Sequence, residues 1–405
     1  MKKRLFFAAL LLALLACAPA LAQEAADLTG QCQIIAPSTR YLLPKLADRD
    51  YGTAYVSDKA RHPYIEITAP EDQPIHGVYI CFSQKPRPWQ VEALRNGNWE
   101  IVFESEALYA HEYAPLNGET RLRIALSSDK QSTLAVSELF VLGAGDTPAY
   151  VQQWQPAPEK ADLLVLSAHP DDEVLFFGGA IPYYTAQRKM NVVVAYMTCG
   201  TTMRRSELLN GLWAMGVRNY PVIGEFWDKY SYNLEGGYSA WGKRNTNQYL
   251  TGLLRQFKPE VVLTHDAGGE YGHGAHRVCA DALLYCVERA ADPTKYADSA
   301  EKWGVWQVKK MYRHLGDENV IEMDWDQPLE AFGGKTGFEM AQEGYSWHVS
   351  QHQAGNRDKA TGKFKLFEVE PRDSAQSCYR FSLVYSVVGP DEAKNDFFEH
   401  VEMKN

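Results

Sequence analysis

The hydrophobic rhythm of the chain changes near residue 150. Before that point apolar and polar positions alternate in short bursts, as in Tyr64-Ile65-Glu66-Ile67-Thr68 and Gly77-Val78-Tyr79-Ile80-Cys81-Phe82. Further bursts occupy 89–94, 99–103, 121–126 and 134–142. Period-two alternation of this length predicts half-buried strands. Asn96-Gly97 between two of them predicts a two-residue hairpin, since both residues tolerate the positive φ of a type I′ turn. Strands at this spacing, with nothing helical for more than a turn between Thr29 and Leu142, predict a β-sandwich. Residues 23–145 are therefore expected to form a sandwich, a candidate carbohydrate-binding unit. Residues 146–160, rich in Gly, Pro, Gln and Ala, are expected to be a linker.

After the linker the apolar positions run unbroken. Leu163-Leu164-Val165-Leu166, Val192–Met197 and Val261-Val262-Leu263-Thr264 read as strands buried on both faces of a parallel sheet. Helical patterns separate them: Arg204 to Met215 with Gly216 as its stop, Thr246 to Phe257 closed by Lys258-Pro259, and Ala275 to Arg289. Strands alternating with helices predict an open α/β sheet over 161–405. Trp227 to Trp241 reads as a long aromatic loop, either packed on itself or serving as a lid that stacks on sugars. Phe381 to Val388 is strand-like and is expected at the edge of the same domain.

The N-terminus has its own grammar. Lys2-Lys3-Arg4, the apolar run Leu5 to Ala16 and the small-x-small Ala20-Leu21-Ala22 predict a signal peptide over residues 1–22. The run is too short for a membrane anchor, and Pro19 interrupts its far end. An exported protein, whether secreted, periplasmic or at the cell surface, is expected. Lipid anchoring through Cys17 is the lesser alternative, because Leu15 is a poor residue in a lipobox. The 405 residues leave room for two domains, and no other run approaches membrane length, so no integral membrane protein is expected. Net charge is −10. Loss of Lys2, Lys3 and Arg4 makes it more acidic still, which argues against nucleic acid as a partner. Export permits disulfides. Cys279 and Cys286 lie about 10.5 Å apart along a helix, too far to bridge; Cys32 and Cys81, both in the N-terminal region, are the pair to test.

Two polar clusters follow two of the buried strands: Ala168-His169-Pro170-Asp171-Asp172-Glu173, and His265 to His276, which includes Gly272-His273-Gly274-Ala275-His276. Ligands of open α/β sheets bind outside the carboxyl ends of the strands, where both clusters are expected. His, Asp and a distant His make the donor set of a catalytic zinc with one position open. His169 and Asp172, three apart, can face one ion, while Asp171 between them is free to act as a base. Of His273 and His276, one can ligate while the other faces substrate. Pro-Asp-Asp-Glu is also a good helix start in its own right, so it is the pairing of the clusters that points to a metal. No Gly-x-Ser-x-Gly supports a serine nucleophile, and Gly178-Gly179 reads as close packing rather than a dinucleotide fingerprint.

These two motifs resemble the hallmarks of the PIG-L/LmbE family of zinc-dependent N-deacetylases. Arg204-x-x-Glu207 with Gly211, Met215 and Gly216 is similar to a third family segment, and His348-x-Ser350-Gln351 to a late one. The resemblance implies a Rossmann-like open sheet and a zinc ion held by His169, Asp172 and His276. It implies Asp171 as general base, His273 as general acid or oxyanion partner, and Tyr271 beside the oxyanion. Arg204 and His348 would bind substrate, an N-acylated amino sugar or glycan. Read from the residues alone, Arg204 could equally pair with Glu207 on its own helix. Two other functions stay open: a carbohydrate-binding or adhesive protein with an inactive deacetylase domain, and an amidase for a non-sugar amide.

Overall fold

A computed structural model describes residues 23–403 except 107 and 358–361. The expected signal peptide, residues 1–22 with Cys17, lies outside the described residues. The N-terminal part is a two-sheet sandwich of nine strands: β1 (Gln33–Ile35), β2 (Tyr55–Val56), β3 (Tyr64–Thr68), β4 (Ile75–Phe82), β5 (Trp89–Arg95), β6 (Asn98–Ser105), β7 (His111–Glu119), β8 (Arg121–Leu126) and β9 (Ala135–Leu142). One sheet has the order β1-β3-β8-β5-β6 and the other β2-β9-β4-β7, with antiparallel neighbours throughout. The alternating positions face inward as their period requires: Ile65, Ile67, Val78, Ile80, Val91, Leu122 and Ile124 share one buried core. Asn96 and Gly97 take φ +51° and +83° in the turn between β5 and β6. One element departs from expectation. Arg40–Leu46 forms a seven-residue 3-10 helix, which Leu46 pins to the sandwich core.

The second part is built on β10 (Leu163–Ser167), β11 (Val192–Tyr196), β12 (Val222–Ile223), β13 (Val261–Thr264), β14 (Lys310–His314), β15 (Val320–Glu322) and β18 (Arg380–Ser386); β16 (Gly355–Arg357) and β17 (Phe364–Leu366) make a separate ribbon. The seven-stranded order is β12-β11-β10-β13-β14-β18-β15. The first five are parallel, and β18 and β15 add antiparallel pairs. The helices are α1 (Asp172–Leu175), α2 (Ala180–Pro182), α3 (Thr202–Ala214), α4 (Leu234–Trp241), α5 (Lys243–Phe257), α6 (Gly274–Val287), α7 (Ala297–Trp303) and α8 (Gly337–Ser346). Along β10 the side chains alternate between two cores. Leu163 and Val165 enter the layer of α1, α3 and α8, and Leu164 and Leu166 that of α5 and α6. Each such side chain, removed from water, is worth roughly 1.5–3 kcal/mol, which is why the run is unbroken. The strand order reverses direction at β10, so its carboxyl end, beside that of β13, is the natural crevice.

Several expectations are corrected. Residues 146–160 are not a free tether: Trp154 is buried against Trp213 and Tyr220, and Gln155 exchanges backbone hydrogen bonds with Arg218 and Tyr220. The aromatic loop contains α4, whose first turn is capped by the Asn233 side chain accepting from Gly236 N–H. Cys32 and Cys81 are free thiols. Gly178 and Gly179 serve close packing as expected, Gly178 against Ala341 of α8 and Gly179 against Trp325. Among the described residues no helix is long and apolar enough to cross a membrane.

Candidate active site

β10 and β13 deliver both polar clusters to that crevice. After Ser167 the chain turns sharply, and Asp171 takes φ +107° and ψ −32° as the residue that starts α1. The turn brings Asp172 into the centre. Its Oδ2 accepts from His169 N–H at 2.7 Å and lies 3.2 Å from His169 Nδ1, while its Oδ1 is 3.3 Å from His276 Nε2. Burial works against ionisation of Asp172, yet His276, His265 and His169 around it hold the carboxyl well below its ordinary range.

The second cluster is organised by Glu270, fully enclosed at its side chain. Its carboxylate receives His276 Nδ1 at 2.7 Å, His314 Nδ1 at 3.1 Å, His265 Nδ1 at 3.2 Å and the Asp266 N–H at 2.9 Å. His276 donates from Nδ1 to Glu270, and its Nε2 is buried with no hydrogen-bond partner; against burial, Asp172 and Glu270 raise its pKa to about 10, so a bound cation would take the place of the Nε2 proton. A carboxylate behind an imidazole is the usual support of a metal-ligating histidine.

Donor atoms of His169, His273 and His276 lie within 4.8 Å of one another, as do those of Asp172, His265 and His276. The hydrogen bonds thin these sets. His265 Nε2 already accepts from Ala168 N–H at 2.9 Å, so its lone pair is spent. His273 Nδ1 accepts from Ala275 N–H at 3.1 Å as the cap of α6, which leaves the proton of a neutral ring on Nε2. Burial, helped by His276 and His169 nearby, pushes the His273 pKa down to about 2, so the ring stays neutral. His169, Asp172 and His276 remain as the donors able to hold an ion, and the orphaned Nε2 of His276 fits one.

Asp171 faces the same space. Burial, opposed by Arg204 and reinforced by Asp172, raises its pKa to about 7. Arg204 donates from Nη2 to Asp171 Oδ1 at 2.8 Å and to the Pro170 carbonyl, and its Nη1 is 3.6 Å from Asp228 Oδ2. It does not pair with Glu207, which accepts from Ser350 N–H and Oγ at 2.7 Å each. Tyr271 lines the cavity with its ring edge-on to His276, and burial keeps its hydroxyl protonated.

His348 is placed differently from expectation. It is fully buried, with Nε2 3.1 Å from Glu173 Oε1, and Glu173 Oε2 accepts from Asp171 N–H at 2.8 Å. It stands behind the Asp171 turn and does not line the cavity, because α8 delivers it beneath α3 at Gly211. The cavity itself is about 250 Å³ and is also lined by Asp228, Tyr230 and Phe367. Tyr230 belongs to the aromatic segment read from sequence as a loop or lid. Sequence reasoning assigned no role to Asp228 and Phe367, nor to Glu270, His265 and His314. Glu270 and His265 fell inside the second cluster, the one signal that could have found them.

Residues 164–287 match the family model PIG-L, described as GlcNAc-PI de-N-acetylase. This stretch is a PIG-L domain. A 1D-myo-inositol 2-acetamido-2-deoxy-alpha-D-glucopyranoside deacetylase of Catenulispora acidiphila is 27% identical to the chain over 205 residues, 44% of this chain and 62% of that protein. The chain thus spans less than two thirds of the length of the curated relatives matched at 62%, 65% and 64%. Among solved structures, conserved protein TT1542 from Thermus thermophilus aligns at 19% identity and a TM-score of 0.36, over 48% of this chain and 81% of that one. CpGH89CBM32-6 of Clostridium perfringens aligns at 15% identity and a TM-score of 0.26, over 29% of this chain and 100% of that one. His169, Asp172 and His276 all lie within the PIG-L domain, whereas His314 and His348 lie beyond it.

Proposed function

We propose that the chain is an exported, zinc-dependent hydrolase that removes an N-acyl group, acetyl in the simplest case, from an amino sugar or glycoconjugate. The observation that carries this reading is the convergence on one small cavity of Asp171, held at positive φ, the neutral His273 with its Nε2–H, His169 and Asp172, with the His276 ring packed against both His169 and His273. Zinc supplies a Lewis acid that makes water a usable nucleophile near pH 7.

The chain's own residues do the rest. Asp171 as carboxylate takes a proton from the attacking water, with Arg204 holding the carboxylate in line. As the water oxygen bonds to the acyl carbon, His273 Nε2–H and the Tyr271 hydroxyl donate to the oxygen that gains charge. A neutral His273 suits that role better than proton donation, so Asp171 returns its proton to the departing nitrogen as the C–N bond breaks. Acetate and a free amine leave.

The test is metal content together with acetate release from N-acetylglucosamine and its oligomers, with and without chelator. One zinc per chain and chelator-sensitive release are expected. Bound zinc without release from any amino sugar would favour another amide or an inactive domain, and absence of stoichiometric metal would remove the site assignment. Asp171→Asn should retain zinc while kcat falls by ~10²–10⁴, the usual contribution of a general base.

A further inference from the structure

Beside the catalytic cavity lies a second cleft of about 480 Å³ that nothing above uses. One wall is the carboxyl-end chain of the α/β sheet, Thr198 to Gly200 after β11 and Ile223 to Phe226 from β12 onward. The other wall belongs to the sandwich: Lys85, Pro86 and Leu108. The two walls are tied by Lys85 Nζ and Glu225 Oε1 at 2.9 Å, both largely exposed.

The cleft and the catalytic cavity meet at Gly200, which lines the former. A Cβ on this residue would sit 2.7 Å from Asp228 Oδ2 and 3.9 Å from Arg204 Cδ, and both of those residues line the latter. Only a glycine's width of chain separates the two spaces. The smaller holds the reacting groups and has room for one amino-sugar ring; the larger has nearly twice the volume. Its surface is mixed in the way a sugar ring is mixed. Leu108 and Ile223 offer apolar contact for a C–H face, and the Lys85–Glu225 pair at the rim can exchange its mutual contact for hydroxyl groups. A lipid chain would meet that charged pair instead of a continuous apolar channel.

We propose that this cleft seats the sugar unit attached to the one being deacetylated, so that the β-sandwich forms a wall of the substrate site and the enzyme acts on an oligosaccharide or glycan. The inference rests on the deacetylase reading above and names its substrate class.

The experiment measures acetate release by the zinc-loaded chain from N-acetylglucosamine and from its β-1,4-linked di- and trisaccharides. The wild type is compared with Lys85→Ala/Glu225→Ala and with Leu108→Gly. Leu108 sits at φ +60°, so glycine there relieves backbone strain and preserves the fold. Wild-type kcat/KM is expected to be about tenfold higher on the trisaccharide than on the monosaccharide, equivalent to about 1.4 kcal/mol of added binding. Both variants should lose most of that preference, through KM, while the monosaccharide rate stays unchanged. Equal wild-type rates on both substrates, or variants that lower both rates alike, would overturn the subsite and leave the deacetylase reading intact. No acetate from either substrate with stoichiometric zinc bound would overturn both.

Discussion

Asp171 occupies φ +107° with a side chain attached, a conformation that costs on the order of 1–3 kcal/mol and persists where surrounding contacts enforce it. Those contacts are visible: Glu173 fixes its N–H from below and Arg204 its carboxylate from the side. The arginine has an electrostatic consequence as well. A carboxylic acid raised to about 7 by burial, with Arg204 pulling the other way, accepts a proton only once ionised. The kcat/KM profile should therefore rise with pH, with its midpoint at or below about 7 because a bound cation favours the carboxylate further. Arg204→Met removes the pull that lowers the pKa, so the rising limb moves to higher pH and activity at pH 6 falls up to ~tenfold more than activity at pH 8. A uniform fall at both values would mean that Arg204 acts on substrate alone. At this scale much of the site was legible, because His169, Asp171, Asp172, His273 and His276 sit in two short runs after strands. Asp228 was not, since nothing local marks it in an aromatic loop. His348 was placed wrongly because adjacency to Ser350 and Gln351 says nothing of which way α8 carries it.

Element boundaries followed local chemistry where that chemistry was strong. Thr201 and His273 cap α3 and α6, and Gly216 at φ +85° and Lys258 at φ +48° end α3 and α5. β14 escaped notice for a physical reason. Lys310 and His314 are fully buried in it, and their partners, Asp391 for the lysine and Glu270 for the histidine, come from distant parts of the chain. A strand whose charges are neutralised from afar does not look like a core strand in sequence. Two helix glycines separate packing from propensity. A Cβ at Gly211 of α3 would lie 2.9 Å from the Gly344 carbonyl and 3.3 Å from His348 Nε2, so Gly211→Ala should force α3 and α8 apart and cost roughly 1–3 kcal/mol. At Gly252 of α5 the nearest atom is Trp303 Cζ3 at 3.5 Å, an ordinary contact. Gly252→Ala should therefore stabilise by about 0.5–1 kcal/mol, the helix-propensity gain. Chemical denaturation of both variants checks the pair, and equal effects would mean that the α3–α8 crossing is not close.

At the scale of the whole molecule, two domains were readable from the change of hydrophobic period, but their union was not, because it is made of polar residues far apart in sequence. Arg205, next to the site arginine on α3, donates to the carbonyls of Phe82 and Gln84 at 2.9 Å each. Tyr220 OH accepts from Ala110 N–H at 3.1 Å. Between them His111 of β7 is fully buried, its Nδ1 3.0 Å from Gln152 Oε1 and 3.2 Å from Tyr79 OH, its Nε2 3.1 Å from Ser206 Oγ on α3. Gln152 Oε1 also accepts from Trp154 Nε1–H, so the pattern is satisfied by a neutral ring that donates from Nδ1 and accepts from the Ser206 hydroxyl at Nε2. Burial drives the His111 pKa down to about 3, and the nearby Arg205 acts in the same direction. The unfolded chain takes up this proton near pH 6.5 while the folded one refuses it until about 3. Stability from this group is whole above pH 6.5 and declines as pH falls below it, by up to ~1.4 kcal/mol per pH unit. His111→Gln can keep a donor and an acceptor in the same place without titrating. Wild-type Tm should drop between pH 7 and pH 4 by more than that of the glutamine variant, and parallel curves would show that the junction of sandwich and sheet is not held by a neutral histidine.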